Sequence, residues 1–144
     1  MSKESKFQCA DPWLLLSIIY ARQQGNSDLS NIIGSGDIIN HSIFSLEELQ
    51  GGVSRLIKSG YVKKKNNEFF PTDKITTPYR KFSKRKNPIE KELEFIRVEL
   101  NAPEWSSDYD PSKILNKKDT YDEINKEIVE KAYKEYVRKN MVKK

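Results

Sequence analysis

Ser45 to Pro71 reads SLEELQGGVSRLIKSGYVKKKNNEFFP. Its first half carries the helical period: Leu46, Leu49, Val53, Leu56 and Ile57 recur at steps of three and four and so share one face. Ser45 with Glu48 three residues on is a capping box, in which each side chain accepts the other's backbone N–H, and it marks the start of the helix. Gly60 marks the end, because a left-handed C-cap costs glycine no steric penalty. The period then changes to two. Tyr61 to Lys65 and Glu68 to Pro71 read as short strands around Asn66-Asn67, residues that tolerate the positive φ of a tight hairpin turn. Strand alternation turns one of Phe69 and Phe70 toward the core.

Upstream, Met1 to Gln8 reads as a polar, disordered tail. Asp11-Pro12 then has the form of an N-cap followed by proline at the first helical position. A helix from Trp13 to about Gln24 follows, with Gly25-Asn26 ending it. Trp13, Leu14, Leu15, Ile18, Ile19 and Ala21 are apolar over more than one face, as a first helix buried on two sides requires. Residues 27–44 contain a second helical pattern, but Gly34-Ser35-Gly36 predicts a bend that leaves two short helices or an irregular helix and a turn. No strand precedes these glycines and no Gly-Lys-Ser/Thr follows them, so they do not form a phosphate loop. His41, the only histidine, lacks a second ligand at zinc spacing and reads as a hydrogen-bonded structural residue.

Downstream of the hairpin, TTPYRKFSKRKNP contains Pro78, which disfavours a long helix immediately after the wing. Structure resumes at Asn87-Pro88, with Ile89, Leu93, Ile96 and Leu100 on one helical face. Asn101-Ala102-Pro103 ends that helix. Residues 104–119 read as a loop in which Asp108 and Asp110 lack the further ligands of a calcium loop; an Asx turn before Pro111 accounts for them. A final helix from Tyr121 to Met141 opens on the capping box Thr120–Glu123. Its stripe is Tyr121, Ile124, Ile128, Ala132, Tyr136 and Val137, and Arg138, Lys139, Lys143 and Lys144 suit its negative C-terminus. That stripe must be buried on the rest of the chain or on a second subunit.

LEELQGGVSRLIKSGYV followed by KKKNNEFFPT resembles the second half of a winged helix-turn-helix domain, and the likeness extends over about residues 10–75. The resemblance implies a mainly α fold with a small β-hairpin, in which Leu46 to Lys58 is the recognition helix and the hairpin is the wing. The expected organisation is a flexible tail (1–9), a winged-helix-like domain (10–75), a basic linker (76–88) and a helical C-terminal extension (89–144). Winged helices commonly bind DNA, many serve instead as protein-docking modules, and many regulators of this kind dimerise through terminal helices.

Composition and charge bound the function. With 36% hydrophobic and 33% charged residues in 144, the chain suits a small, helix-rich, well-solvated protein. One cysteine, Cys9, forms no internal disulfide, which points to a reducing compartment. No apolar run approaches the ~20 residues of a membrane span, and MSKESKFQ lacks a signal-peptide core; the expectation is a cytoplasmic protein with no membrane partner. The net charge is +5. Residues 10–75 are neutral, and Arg80, Lys81, Lys84, Arg85 and Lys86 form a run with no acid from 76 to 88.

If double-stranded DNA is the partner, Arg55 suits a bidentate guanine contact, while Ser54 and Lys58 suit phosphates. Lys63, Lys64 and Lys65 of the wing suit the backbone beside the groove; lysines also protect exposed strand edges from aggregation. Tyr79 and Phe82 between the linker cations either stack on bases or pack back on the domain. Glu47 and Glu48 in the first turn oppose phosphate, and their simpler role is to complement the helix dipole. Gly51-Gly52 in mid-helix predicts either a kink or a close approach. No nucleophile elbow, paired-cysteine motif, metal-ligand cluster or phosphate loop is present. The sequence therefore predicts a non-enzymatic protein without metal or cofactor. It is either a DNA-binding transcriptional regulator, with a possible homodimer through Tyr121 to Met141, or a winged-helix docking module that does not bind DNA.

Overall fold

The computed structural model describes residues 7–107, 109–110 and 120–142. Within them lie α1 (Asp11–Gln23), α2 (Leu29–Asn40), α3 (Leu46–Lys58), β1 (Val62–Lys65), β2 (Glu68–Pro71), α4 (Asp73–Ser83), α5 (Ile89–Leu100) and α6 (Lys126–Val142). The protein is mainly helical, with one small antiparallel sheet. The expected tail residues 1–6, the turn at Asp108 and Pro111, the rest of the 111–119 loop, and Lys143 and Lys144 lie outside the described residues.

The central stretch forms as its pattern dictates. Glu48 donates its backbone N–H to Ser45 Oγ at 3.1 Å and Ser45 returns its own to Glu48 Oε1 at 2.9 Å, so both halves of the capping box are made. Gly60 follows α3 at φ +83°. The hairpin pairs Lys65 with Glu68 and Lys63 with Phe70 across a turn in which Asn66 takes φ 58°. Phe69 faces the core and Phe70 is half-buried under the Arg22 guanidinium, 4.6 Å from its ring centre. Leu49, Val53 and Leu56 are fully buried in one apolar cluster with Leu15, Ile18 and Ile19 of α1.

Several local expectations yield to tertiary packing. Helix α1 begins at Asp11 with Ala10 as its cap, so Asp11 is not the N-cap; its carboxylate accepts instead from the Gln8 N–H at 2.8 Å and from Arg55. Phe7 and Cys9 are buried, with Phe7 edge-on to Tyr61, so the packed chain starts before residue 10. Burial pushes the Cys9 thiol up to about 11.

Helix α2 runs unbroken through Gly34-Ser35-Gly36. The glycines serve close approach rather than a bend. A Cβ on Gly36 would lie 2.4 Å from the Phe44 ring, and one on Gly34 would lie 2.9 Å from the Tyr136 ring. The Gly36 carbonyl also accepts from Trp13 Nε1 at 2.9 Å. The helix-propensity cost of about 1 kcal/mol per glycine is offset by these contacts. His41 ends α2 as an exposed left-handed C-cap with φ 53°, so its structural role is that of a helix cap.

The expected basic linker is helical as far as Ser83. Pro78 falls in the second turn of α4, where its missing N–H removes one intrahelical bond. Burial of Ile75 and Tyr79 and the stacking of Phe82 on Phe95, with ring centres 4.4 Å apart, compensate. Tyr79 and Tyr20 both donate their hydroxyls to the Glu92 carboxylate, tying α4, α1 and α5 together. Burial, then the Glu92 hydrogen bond, pushes both phenols above the ordinary tyrosine range.

Helix α6 starts later than expected. Tyr121 to Asn125 form turns, and Asn125 Oδ1 accepts from the Ile128 N–H at 2.9 Å, so Asn125 rather than Thr120 caps the helix. Part of the expected stripe packs within the same chain, and Ile128 stays exposed. Ile124 and Ala132 are buried, and Tyr136 packs over Gly34 and donates to Asp37 Oδ2 at 2.7 Å. No described helix is long and apolar enough to cross a membrane.

Candidate functional site

Helix α3 is buried along its second half. Gly51 through Leu56 are all buried, and Lys58 is its only exposed position. One side faces α1: a Cβ on Gly52 would meet Leu14 Cδ2 at 2.5 Å. Another side is covered by the C-terminal part of the chain. Tyr109 donates its hydroxyl to Glu48 Oε2 at 2.6 Å, the Tyr121 N–H donates to the Gln50 carbonyl at 3.1 Å, and Gln50 Nε2 donates to the Ile124 carbonyl at 2.7 Å. Burial, then the Glu48 hydrogen bond, pushes the Tyr109 phenol up.

This arrangement corrects the expected base-reading face. Ser54 is buried, and Arg55 is 7% exposed with its guanidinium on Asp11: Nε lies 2.7 Å from Oδ2 and Nη2 lies 3.0 Å from Oδ1. A bidentate, nearly dry pair leaves Arg55 no free fork for a guanine edge. The guanidinium also lies over Gly51, where an added Cβ would come within 2.9 Å of Nη1. Gly51-Gly52 thus marks close approach, not a kink.

The wing lysines divide by strand alternation. Lys64, paired across the hairpin with Phe69, turns to the side where Glu123 sits and meets Glu123 Oε1 at 2.8 Å. Lys63 and Lys65 point the other way and are exposed. The Lys64 hydrogen bond, then that of Tyr121, holds the Glu123 carboxyl below its usual range. A cavity of 310 Å³ opens beside this pair and is lined by Asp28, Lys64, Phe69, Glu123, Lys131 and Glu135, among others. Its mixed charge does not suit a polyanion.

The remaining cations stay together. Arg80 and Lys81 lie on the last turn of α4, and Lys84, Arg85 and Lys86 follow directly; all five are exposed. None is ion-paired to a described residue. Arg80, Lys81 and the C-cap Lys84 complement the negative end of the helix dipole, whereas Arg85 and Lys86 lie beyond the cap. The aromatic residues before and within the run turn inward: Tyr79 is 5% exposed and Phe82 stacks on Phe95. Their choice between bases and the domain is decided in favour of the domain.

Sequence reading missed Asp11 as the partner of Arg55, and Tyr109, Tyr121 and Ile124 as the cover of α3. The adjacent glycines were the one signal of crowding there, and they name no partner. Among the described residues, no three His, Cys, Asp or Glu side chains group so as to hold a metal ion. No family model, no curated protein and no solved structure matches this chain.

Proposed function

We propose that this chain is a non-catalytic regulator of winged-helix type that binds nucleic acid through Arg80, Lys81, Lys84, Arg85 and Lys86. The order of three helices and an antiparallel hairpin supports the winged-helix assignment. The observation that carries binding is the exposure of five cations within seven residues, 80–86, without a carboxylate partner among the described residues. Unneutralised cations in one short run are the electrostatic footprint of a phosphate-binding surface. Exposed Lys63 and Lys65 add to the positive field. Binding of a fluorescent duplex titrated at several salt concentrations tests this. Affinity is expected to fall as salt rises, and replacement of the five cations by Ala is expected to flatten that dependence. Wild-type protein that binds no nucleic acid at low ionic strength sinks the proposal.

A second reading has its own support. Burial of Gly51 to Leu56 takes Ser54 and Arg55 of α3 out of reach of a major groove, which favours a protein-docking module built on the same frame. Absence of salt-sensitive nucleic-acid binding would select it.

A further inference from the structure

Resting on the nucleic-acid reading above, we infer that the ligand of the α4 cation cluster is the phosphate backbone of a duplex, held without regard to base sequence. Three features of the surface lead there. Sequence is read by side chains that reach base edges. The side chain best suited to that, Arg55, is held by Asp11 in the core, and Ser54 beside it is buried. Single strands are held by aromatic platforms on which unpaired bases stack. The two aromatic residues before and within the cluster are turned away, Tyr79 with its hydroxyl on Glu92 and Phe82 against Phe95. What remains exposed from residue 80 to residue 86 is Arg80, Lys81, Ser83, Lys84, Arg85 and Lys86, a surface of point charges and one hydroxyl.

Charge alone prefers the duplex. Each phosphate neutralised contributes a slope of about −0.9 to log K against log salt on B-form DNA and about −0.7 on a single strand. If duplex and single strand bind alike at about 1 M salt, five contacts give slopes of about −4.5 and about −3.5, a difference on the order of tenfold in affinity near 50 mM salt.

The test measures the intact protein against three unrelated duplexes, the corresponding single strands and vesicles containing phosphatidylserine, each over a range of salt. The expected result is equal affinity for the three duplexes within about twofold, and binding about tenfold weaker on single strands with a shallower slope. A charge-preserving variant, R80K/R85K, is expected to keep equal affinity for the three duplexes, because neither guanidinium reads a base edge. Single strands bound as tightly as duplexes, one duplex preferred about tenfold by the wild type, or R80K/R85K weakened on one duplex and not on the others each overturns the inference while leaving nucleic-acid binding in place. Vesicles bound more tightly than any duplex overturn it in favour of a membrane surface. Binding to no nucleic acid at all removes the functional proposal itself.

Discussion

Arg55 of α3 closes on Asp11 of α1 through two parallel hydrogen bonds of 2.7 and 3.0 Å, with both side chains more than nine-tenths buried. Removing one member leaves the other charged and dry, which costs about 3–5 kcal/mol when a buried pair is broken. Arg55→Ala and Asp11→Ala are each expected to lose stability in that range in urea unfolding. The double variant Asp11→Leu/Arg55→Met is expected to lose less than either, since no charge is stranded. Independent, additive losses would mean that the two groups do not depend on each other.

The glycines of α2 give a test opposite in sign to helix propensity. An exposed Gly→Ala change in a helix gains about 1 kcal/mol. Gly36→Ala is expected instead to destabilise by about 1–3 kcal/mol, the usual cost of overpacking, because its new methyl would meet the Phe44 ring at 2.4 Å. Phe44 has little room to yield: it is buried and stacked on Trp13 at 3.8 Å between ring centres. Thermal unfolding of the variant decides it, and a raised Tm would show that the ring moves freely.

Stability is expected to fall in acid through Glu68. The Ser27 N–H at 3.0 Å, then Arg22 at 2.8 Å, holds its carboxyl below the ordinary value of 4.5. A lowered pKa in the folded state means that the unfolded chain takes up the proton first. Its contribution is therefore fully present above about pH 5 and is lost as pH falls below 4.5 through the folded value. Glu68→Gln is expected to be less stable than wild type at pH 7 and to show a shallower loss between pH 5 and pH 3. An unchanged acid profile would remove Glu68 from the account.

The mass of the full-length protein follows from where the α6 stripe goes. Ile124, Ala132 and Tyr136 pack within the same chain, and Ile128 and Tyr133 remain the exposed apolar positions, at 40% and 42%. A monomer is the expected result of light scattering at micromolar concentration, and Ile128→Glu/Tyr133→Glu is expected to leave the mass unchanged. A dimer that the double substitution dissociates would restore pairing through this helix.

The elements whose stabilisation is local were legible in the residues alone. The capping box of Ser45 and Glu48, the end at Gly60, the asparagine turn and the α5 stripe each depend on groups within about one turn of one another. The five cations of the candidate site were visible too, because exposure is the default for a run of like charges with no acid nearby. What tertiary structure decided were matters of partnership between distant residues. Asp11 and Arg55 are separated by 44 positions, and no spacing rule links them. Gly34 reads as a helix breaker until Tyr136 is found against it, 102 residues later. Arg55 reads as a surface side chain because an isolated helix would present it so; Asp11 of α1 takes its guanidinium, while Tyr109, Tyr121 and Ile124 from the far end of the chain bond to Glu48 and Gln50 of the same helix. Local patterns specify which backbone conformation is cheap, whereas burial is set by what else arrives at the same place, and only the folded chain brings those residues together.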